Sequence, residues 1–320
     1  MNMNKRDKLR LPERKKSQVK LKKESAIYLP TYHFLKGEFH HARRHETGLI
    51  RDDDTEFLHQ YRVALRRCRA IIGLLSPLFV PEQKLMLQND LKNLMQKTNA
   101  LRDLDVYLDN MEPFFYALEH QYHQGLTLFF NDLLDKRTQA FHDVKDWLKS
   151  DEYEQQCAQI AGLINEMENN PTPAGKRLCL PTAQKRIWKR FSQTLSLCQA
   201  VGYNHPDEQL HQLRISCKKL RYLLEYFAPL FPGKVIKEQI KQLKALQESL
   251  GEFNDSSVQM TFLSQYLAQQ KPESRRHTAI SHLLEFSDKQ HADHKISVVD
   301  HVSQYTFATH QKSYEKLYQP

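Results

Sequence analysis

FLHQYRVALRRCRAIIGLLSPLF, from Phe57 to Phe79, returns in altered form as QLHQLRISCKKLRYLLEYFAPLF, from Gln209 to Phe231. His59 aligns with His211, 152 residues on, and the same offset pairs Arg62 with Arg214, Arg69 with Arg221, Pro77 with Pro229 and Phe79 with Phe231. The register continues without a gap, matching Leu91-Lys92 to Leu243-Lys244, Leu94 to Leu246, Asp103 to Asp255 and Val106 to Val258. The chain is an internal duplication, and a repeat of this kind constrains the architecture before any single element is assigned.

The residues kept in both copies describe a helix with two faces. At 100° per residue His59, Arg62, Arg66 and Arg69 fall within roughly 80° of helix circumference, and Tyr61, Ala64, Leu65, Cys68, Ile71, Ile72 and Leu75 occupy the other side. In the second copy His211, Arg214, Lys218 and Arg221 share one stripe, while Leu213, Cys217, Leu220, Leu223, Leu224 and Phe227 form the apolar face. Like charges one turn apart destabilise an isolated helix by about 0.2–0.5 kcal/mol per pair, and Phe57 to Phe79 contains no Asp or Glu to offset this. An anionic ligand is therefore expected to complete the stripe. Glu225, four residues after Arg221, has no acidic counterpart at Gly73; it is expected to orient Arg221 and makes the halves unequal.

Nine glycines in 320 residues, scarce strand-like alternation and recurring period-3.6 apolar patterns indicate an all-α chain. The formal net charge is +9, which points to a polyanionic partner: nucleic acid, an anionic membrane surface or polyphosphate. Five cysteines without C-x-x-C spacing, two of them (Cys68 and Cys217) on apolar helix faces, indicate reduced thiols rather than a disulfide framework. The most apolar run, Ile71 to Val80, is about half the length of a membrane span. The basic N-terminus is not followed by the apolar segment of a signal peptide. A soluble, cytoplasmic protein without membrane insertion is expected.

Three regions follow. Residues 1–25, rich in lysine and arginine (Lys5, Arg6, Lys8, Arg10, Arg14, Lys15, Lys16, Lys20, Lys22 and Lys23), read as a disordered basic arm. Residues 26–170 form the first helical repeat and 171–320 the second, with Asn169, Asn170, Pro171, Pro173, Gly175 and Pro181 marking the break. In the first repeat helices are predicted over Thr31–Thr47, Thr55–Leu75, Glu82–Asn99 and Asp103–Glu112, with more helix from Pro113 to Ser150. Those of the second are Thr182–Val201, Asp207–Phe227, Lys234–Leu250, Asp255–Gln269 and Glu273–His291. Gly251 reads as a C-cap, Asn99 as its left-handed counterpart, and Asp103 and Asp255 as the N-caps that follow.

LHQYRVALRRCRA with LRDLDV, then LHQLRISCKKLRYLLE with LGEFND, resembles the CHAD family, the conserved-histidine α-helical domain, in both halves. The resemblance spans most of the chain from about Pro30 onward. It implies a duplicated helical bundle with two pseudo-two-fold-related halves around a basic central groove that binds inorganic polyphosphate. Family members often follow a CYTH-type triphosphatase domain; nothing here resembles one, so a stand-alone CHAD protein is expected, compatible with association with polyphosphate granules. Tyr61 and Cys68 depart from the usual aliphatic residues, and Lys218 and Lys219 replace Arg66 and Arg67, keeping charge but losing the bidentate fork.

Polyphosphate carries about one negative charge per internal phosphate and no bases to read, so a receptor needs closely spaced cations on fixed supports. His59, Arg62, Arg66, Arg69, His211, Arg214, Lys218 and Arg221 are the expected ligands, the arginines presenting paired N–H donors. The two histidines either contact ligand or order their helices. Secondary candidates are Arg43, Arg44 and Arg67 in the first half, Lys189, Arg190 and Lys219 in the second, and the matched pair Lys92 and Lys244. No cofactor or metal is expected. A phosphate-processing enzyme is the alternative, but His291-x-x-His294 with Asp293, His120 with His123, and His40-His41 fit no specific metal or nucleophile motif. Nucleic-acid binding is a further one: the arm and Tyr222 suit low-specificity contact, and no base-reading motif is present.

Overall fold

The computed structural model describes residues 8–14, 21–202, 206–305 and 308–319. Its helices are α1 (Tyr28–Arg43), α2 (Glu46–Arg51), α3 (Thr55–Leu74), α4 (Pro81–Lys97), α5 (Asn99–Asp109), α6 (Met111–Ala117), α7 (His123–Leu148), α8 (Asp151–Asn169), α9 (Cys179–Ala200), α10 (Asp207–Phe227), α11 (Gly233–Leu267), α12 (Arg275–Tyr305) and α13 (Ala308–Tyr318). No strand occurs among the described residues, so the chain is all-α. None of these helices is long and apolar enough to cross a membrane.

The chain divides into two compact units. Unit 1 takes Ala26–Asp109 and Leu133–Arg177 with the described residues before Lys20, and unit 2 takes Leu21–Ser25, Asn110–Asp132 and Leu178 onward. Of the basic arm, Lys5, Arg6, Lys15, Lys16 and Lys20 lie outside the described residues. Between them, the Leu9 amide donates to Asp53 and the Arg14 guanidinium to Glu38.

The 152-residue offset holds element by element. It carries the start of α3 at Thr55 onto the start of α10 at Asp207, the 3-10 turn Ser76–Leu78 onto Ala228–Leu230, and the start of α4 at Pro81 onto that of α11 at Gly233. In unit 1, α2 ends on Asp52 in the left-handed conformation (φ 54°), and the Asp54 carboxylate caps α3 by accepting the Glu56 amide at 2.8 Å. The apolar face of α3 is buried from Phe57 to Ile72 against α1, and the Tyr61 hydroxyl reaches that of Tyr153 on α8 at 3.4 Å. In unit 2, α10 buries Leu213, Cys217, Leu220, Leu224 and Phe227, and Phe191 of α9 stacks on Tyr314 at 3.9 Å between centroids.

Several predicted boundaries shift. The Thr31–Thr47 helix is two helices, α1 and α2, joined at Arg44–His45. Gly251 does not end a helix and Asp255 does not start one: α11 runs unbroken from Gly233 to Leu267. An isolated glycine within a helix costs only about 1 kcal/mol relative to alanine, less than the buried contacts of Leu250 and Phe253 on either side return. Asn99 is not left-handed but opens α5, and Asp103 lies inside that helix rather than at its cap. Pro113 sits near the start of α6, where its missing N–H is not needed. Beyond His291, α12 continues to Tyr305.

Candidate functional site

With one face of α3 fixed in the core, His59, Arg62, Arg66 and Arg69 emerge half-buried on the other. Arg62 and Arg69 meet the C-terminal end of α4, where helix-end carbonyls carry partial negative charge. Arg62 donates to the Met95 carbonyl and the Thr98 hydroxyl, each at 2.7 Å, and to the Asn99 side-chain oxygen at 2.8 Å. Three of its five N–H donors thus clip α3 to the α4–α5 junction. Arg69 reaches the Met95 sulfur at 3.4 Å. Burial and then the charge of Arg66 push Arg62 down to about 10, with Asp103 opposing and Arg102 adding a smaller push in the same direction as Arg66; it stays cationic at neutral pH. Burial also holds His59 below the ordinary histidine value, with Arg102, Arg66 and Arg62 adding to it and Glu56 opposing.

The matched stripe on α10 has the same spacing and different neighbours. His211 Nδ1 donates to the Asn254 side-chain oxygen at 2.9 Å, and the Asn254 amide nitrogen donates to Asp255 at 3.2 Å, fixing the orientation of both. Arg214 lies 3.6 Å from Asp255. Arg221 lies 3.6 Å from Glu225, one turn on, and over the Tyr222 ring. Lys218 is half-buried between them.

Arg102, Asn254 and Asp255 were not singled out by periodicity, although the duplication pairs Arg102 with Asn254 within the quoted LRDLDV and LGEFND segments. Position 102 decides the character of each stripe. In unit 1 it adds a fifth basic residue beside His59; in unit 2 a neutral amide orients the histidine instead. Unit 2 also gains Glu225, 3.6 Å from Arg221 and without an acidic counterpart at Gly73.

Three of the secondary candidates are engaged away from the α3 stripe. Arg43 is bound by Glu46 at 2.9 Å and Glu154 at 2.6 Å, and Arg44 donates to the Glu13 carbonyl at 2.9 Å. Arg67 faces α1, 3.4 Å from the buried Glu38 and over the Phe34 ring. With Arg14 and His41 these three line a separate cleft of about 820 Å³ in unit 1. Lys92 on α4, Lys244 on α11 and Lys189 on α9 are exposed. Arg190 lies half-buried where α9 packs against α10, and Lys219 of α10 is exposed within reach of its charge.

The five thiols and one serine–histidine–aspartate chain have structural surroundings. All five cysteines are buried and reduced, and burial raises the pKa of each, so none is a thiolate at neutral pH. Ser256, His291 and Asp207 form a chain, with His291 Nδ1 2.8 Å from the Ser256 hydroxyl and Nε2 3.3 Å from Asp207. The Ser256 hydroxyl also donates to the Phe253 carbonyl at 2.8 Å. The chain cross-links α10, α11 and α12, and Lys295 joins it by donating to Asp207 at 2.8 Å.

A family profile described as the CHAD domain matches residues 33–264. Among solved structures the chain is similar to the CHAD domain from the plant Ricinus communis, with a TM-score of 0.74 and 24% identity over 91% of this chain and 96% of that one. It is also similar to PptA from Streptomyces chartreusis, with a TM-score of 0.67 and 14% identity over 88% of this chain and 100% of that one. None of the curated proteins compared matches it.

Proposed function

Since the chain belongs to the CHAD family, we propose that it binds inorganic polyphosphate without cleaving it, each unit contributing its cationic helix stripe. The observation that carries this reading is the matched pair of stripes, His59–Arg62–Arg66–Arg69 on α3 and His211–Arg214–Lys218–Arg221 on α10, each backed by a buried apolar face. A flexible polyanion loses chain entropy on binding, and cations held on fixed helices add no further ordering loss of their own. Cation pairs that repel in the free protein are relieved by each phosphoryl group placed between them, and the fork of each arginine suits two oxygens of one phosphate. The engaged cysteines and the Ser256 hydroxyl directed to backbone support a binding role over a hydrolytic one.

Calorimetry with polyphosphate of defined length, with phosphorus NMR of the same samples over time, tests this reading. Saturable binding that weakens steeply with added salt is expected, with chain length unchanged. Shortening that survives repurification and disappears in a stripe variant would establish an enzyme instead, and equal competition by single-stranded DNA of matched charge would establish a general polyanion binder.

A further inference from the structure

Away from the stripes, the two units differ sharply at one repeat-matched seam. In unit 1 the seam between α1 and α3 is electrically closed: Arg67 has the Glu38 carboxylate at 3.4 Å and the Phe34 ring 5.5 Å from its guanidinium carbon. Glu38, 6% exposed, also accepts from Arg14. The corresponding seam in unit 2 is formed by α9 and α10, and its register is pinned by packing. At the 152-residue offset the buried Leu35, Phe39 and Ala42 of α1 become Ile187, Phe191 and Thr194 of α9, all buried. The buried Ala42 and Ala64 become Thr194 and Ser216, whose hydroxyls bond across the seam at 2.8 Å.

In that register Phe34, Glu38 and Arg67 become Arg186, Arg190 and Lys219. The ring and the carboxylate that hold the cation of unit 1 are both replaced by guanidinium groups. Helix α9 contains no Asp or Glu and carries Lys185 and Lys189 as well. Arg190 lies one turn before Thr194, and Lys219 about one turn after Ser216. The two cations therefore face each other across the seam, and Lys219 is held below the ordinary lysine value by burial and by the Arg190 charge. Arg190 Nε is buried and has no hydrogen-bond partner among the described residues. On α10, Lys219 stands roughly 120° around the helix from the middle of the His211 stripe.

We infer that the α9–α10 seam of unit 2 is a second oxyanion seat, separate from the His211 stripe, in which Arg190 and Lys219 take a phosphoryl group of a condensed phosphate where unit 1 holds the Glu38 carboxylate. The inference rests on the polyphosphate reading for its ligand class, and it makes the binding surface of the chain asymmetric. Unit 1 cannot offer the same seat, because its own carboxylate fills it.

The test uses Arg190→Glu, which rebuilds in unit 2 the acid of unit 1, with Arg190→Gln and Arg214→Ala alongside. Lys289→Glu, on an exposed position of α12, controls for the change in net charge. Polyphosphate affinity is expected to fall about tenfold in Arg190→Glu, on the scale of one charged hydrogen-bonded contact, less in Arg190→Gln, and little in Lys289→Glu. Pyrophosphate is expected to raise the thermal midpoint of the unsubstituted protein, and to raise that of Arg190→Glu by clearly less. Unchanged affinity in Arg190→Glu beside a weakened Arg214→Ala overturns the seat and leaves the stripe reading standing. Absence of polyphosphate binding in the unsubstituted protein overturns the stripe reading, and the pyrophosphate shift then decides the seat by itself. A lower thermal midpoint for Arg190→Glu than for Arg190→Gln at low salt also counts against the seat, since Lys219 should receive a carboxylate at position 190 as Arg67 receives Glu38.

Discussion

Arg62 and Arg66 are neighbours on one stripe and have different work. Arg62 closes the end of α4 through three hydrogen bonds, whereas the charge of Arg66 lowers the proton affinity of both His59 and Arg62. Arg62→Ala should therefore lower unfolding stability by about 1.5–3 kcal/mol, the scale of hydrogen bonds to a charged group, as well as weaken polyphosphate binding. Arg66→Ala should leave stability within about 0.5 kcal/mol and weaken binding alone. Urea titrations read the first quantity and calorimetry the second; equal stability losses in the two variants would show that the clip contributes nothing. Both arginines are visible in the sequence as stripe cations. Their difference is not, because it depends on where the Met95 carbonyl ends in space, 33 residues further along the chain.

At the level of helices, one unit breaks where the other runs on. Thr98, with φ −107°, turns its hydroxyl back to the Met95 carbonyl at 3.0 Å, where Arg62 also binds, and the chain restarts as α5. In unit 2 the matched residue is Leu250, fully buried, and α11 continues through Gly251. A Cβ at Gly251 would meet nothing within 4 Å, so Gly251→Ala should stabilise the protein by about 0.5–1 kcal/mol. Gly125→Ala should do the reverse, since its Cβ would strike the Arg275 carbonyl and the Ala279 side chain on α12. Thermal denaturation of both variants checks the pair of signs. Helix identity and the core faces of α3 and α10 were legible because apolar period and duplication agree. The run through Gly251 was not, because local turn chemistry favoured a stop and packing at Leu250 and Phe253 overrode it.

Across the whole molecule, the 152-residue spacing carries the fold of both units, but it also marks where they have diverged, and one divergence predicts unequal response to acid. In unit 1, His41 and His45 are 5% and 0% exposed, with ring centroids 4.6 Å apart. His45 Nδ1 donates to the His41 carbonyl at 2.8 Å, which leaves Nε2 as its basic nitrogen, buried without a hydrogen-bond partner, as is His41 Nδ1. Burial, then the charge of Arg14 and the neighbouring His45, push His41 down to about 4, and burial holds His45 below the ordinary value. Position 193, the match of His41, is an exposed glutamine in unit 2. An unfolded histidine protonates near pH 6.5. Below that pH the unfolded chain binds more protons than the folded one, so stability falls as the solution is acidified from about 6.5 and levels off only below about 4. For His41 alone the full loss is about 3 kcal/mol. Hydrogen exchange at pH 7 and pH 5 should show α1 and α3 losing protection before α9 and α10. His41→Gln, which installs the unit 2 residue, should flatten the decline of the thermal midpoint over the same interval. An unchanged slope in His41→Gln, or protection lost first from α9 and α10, would place the acid-sensitive groups elsewhere than in this buried histidine pair.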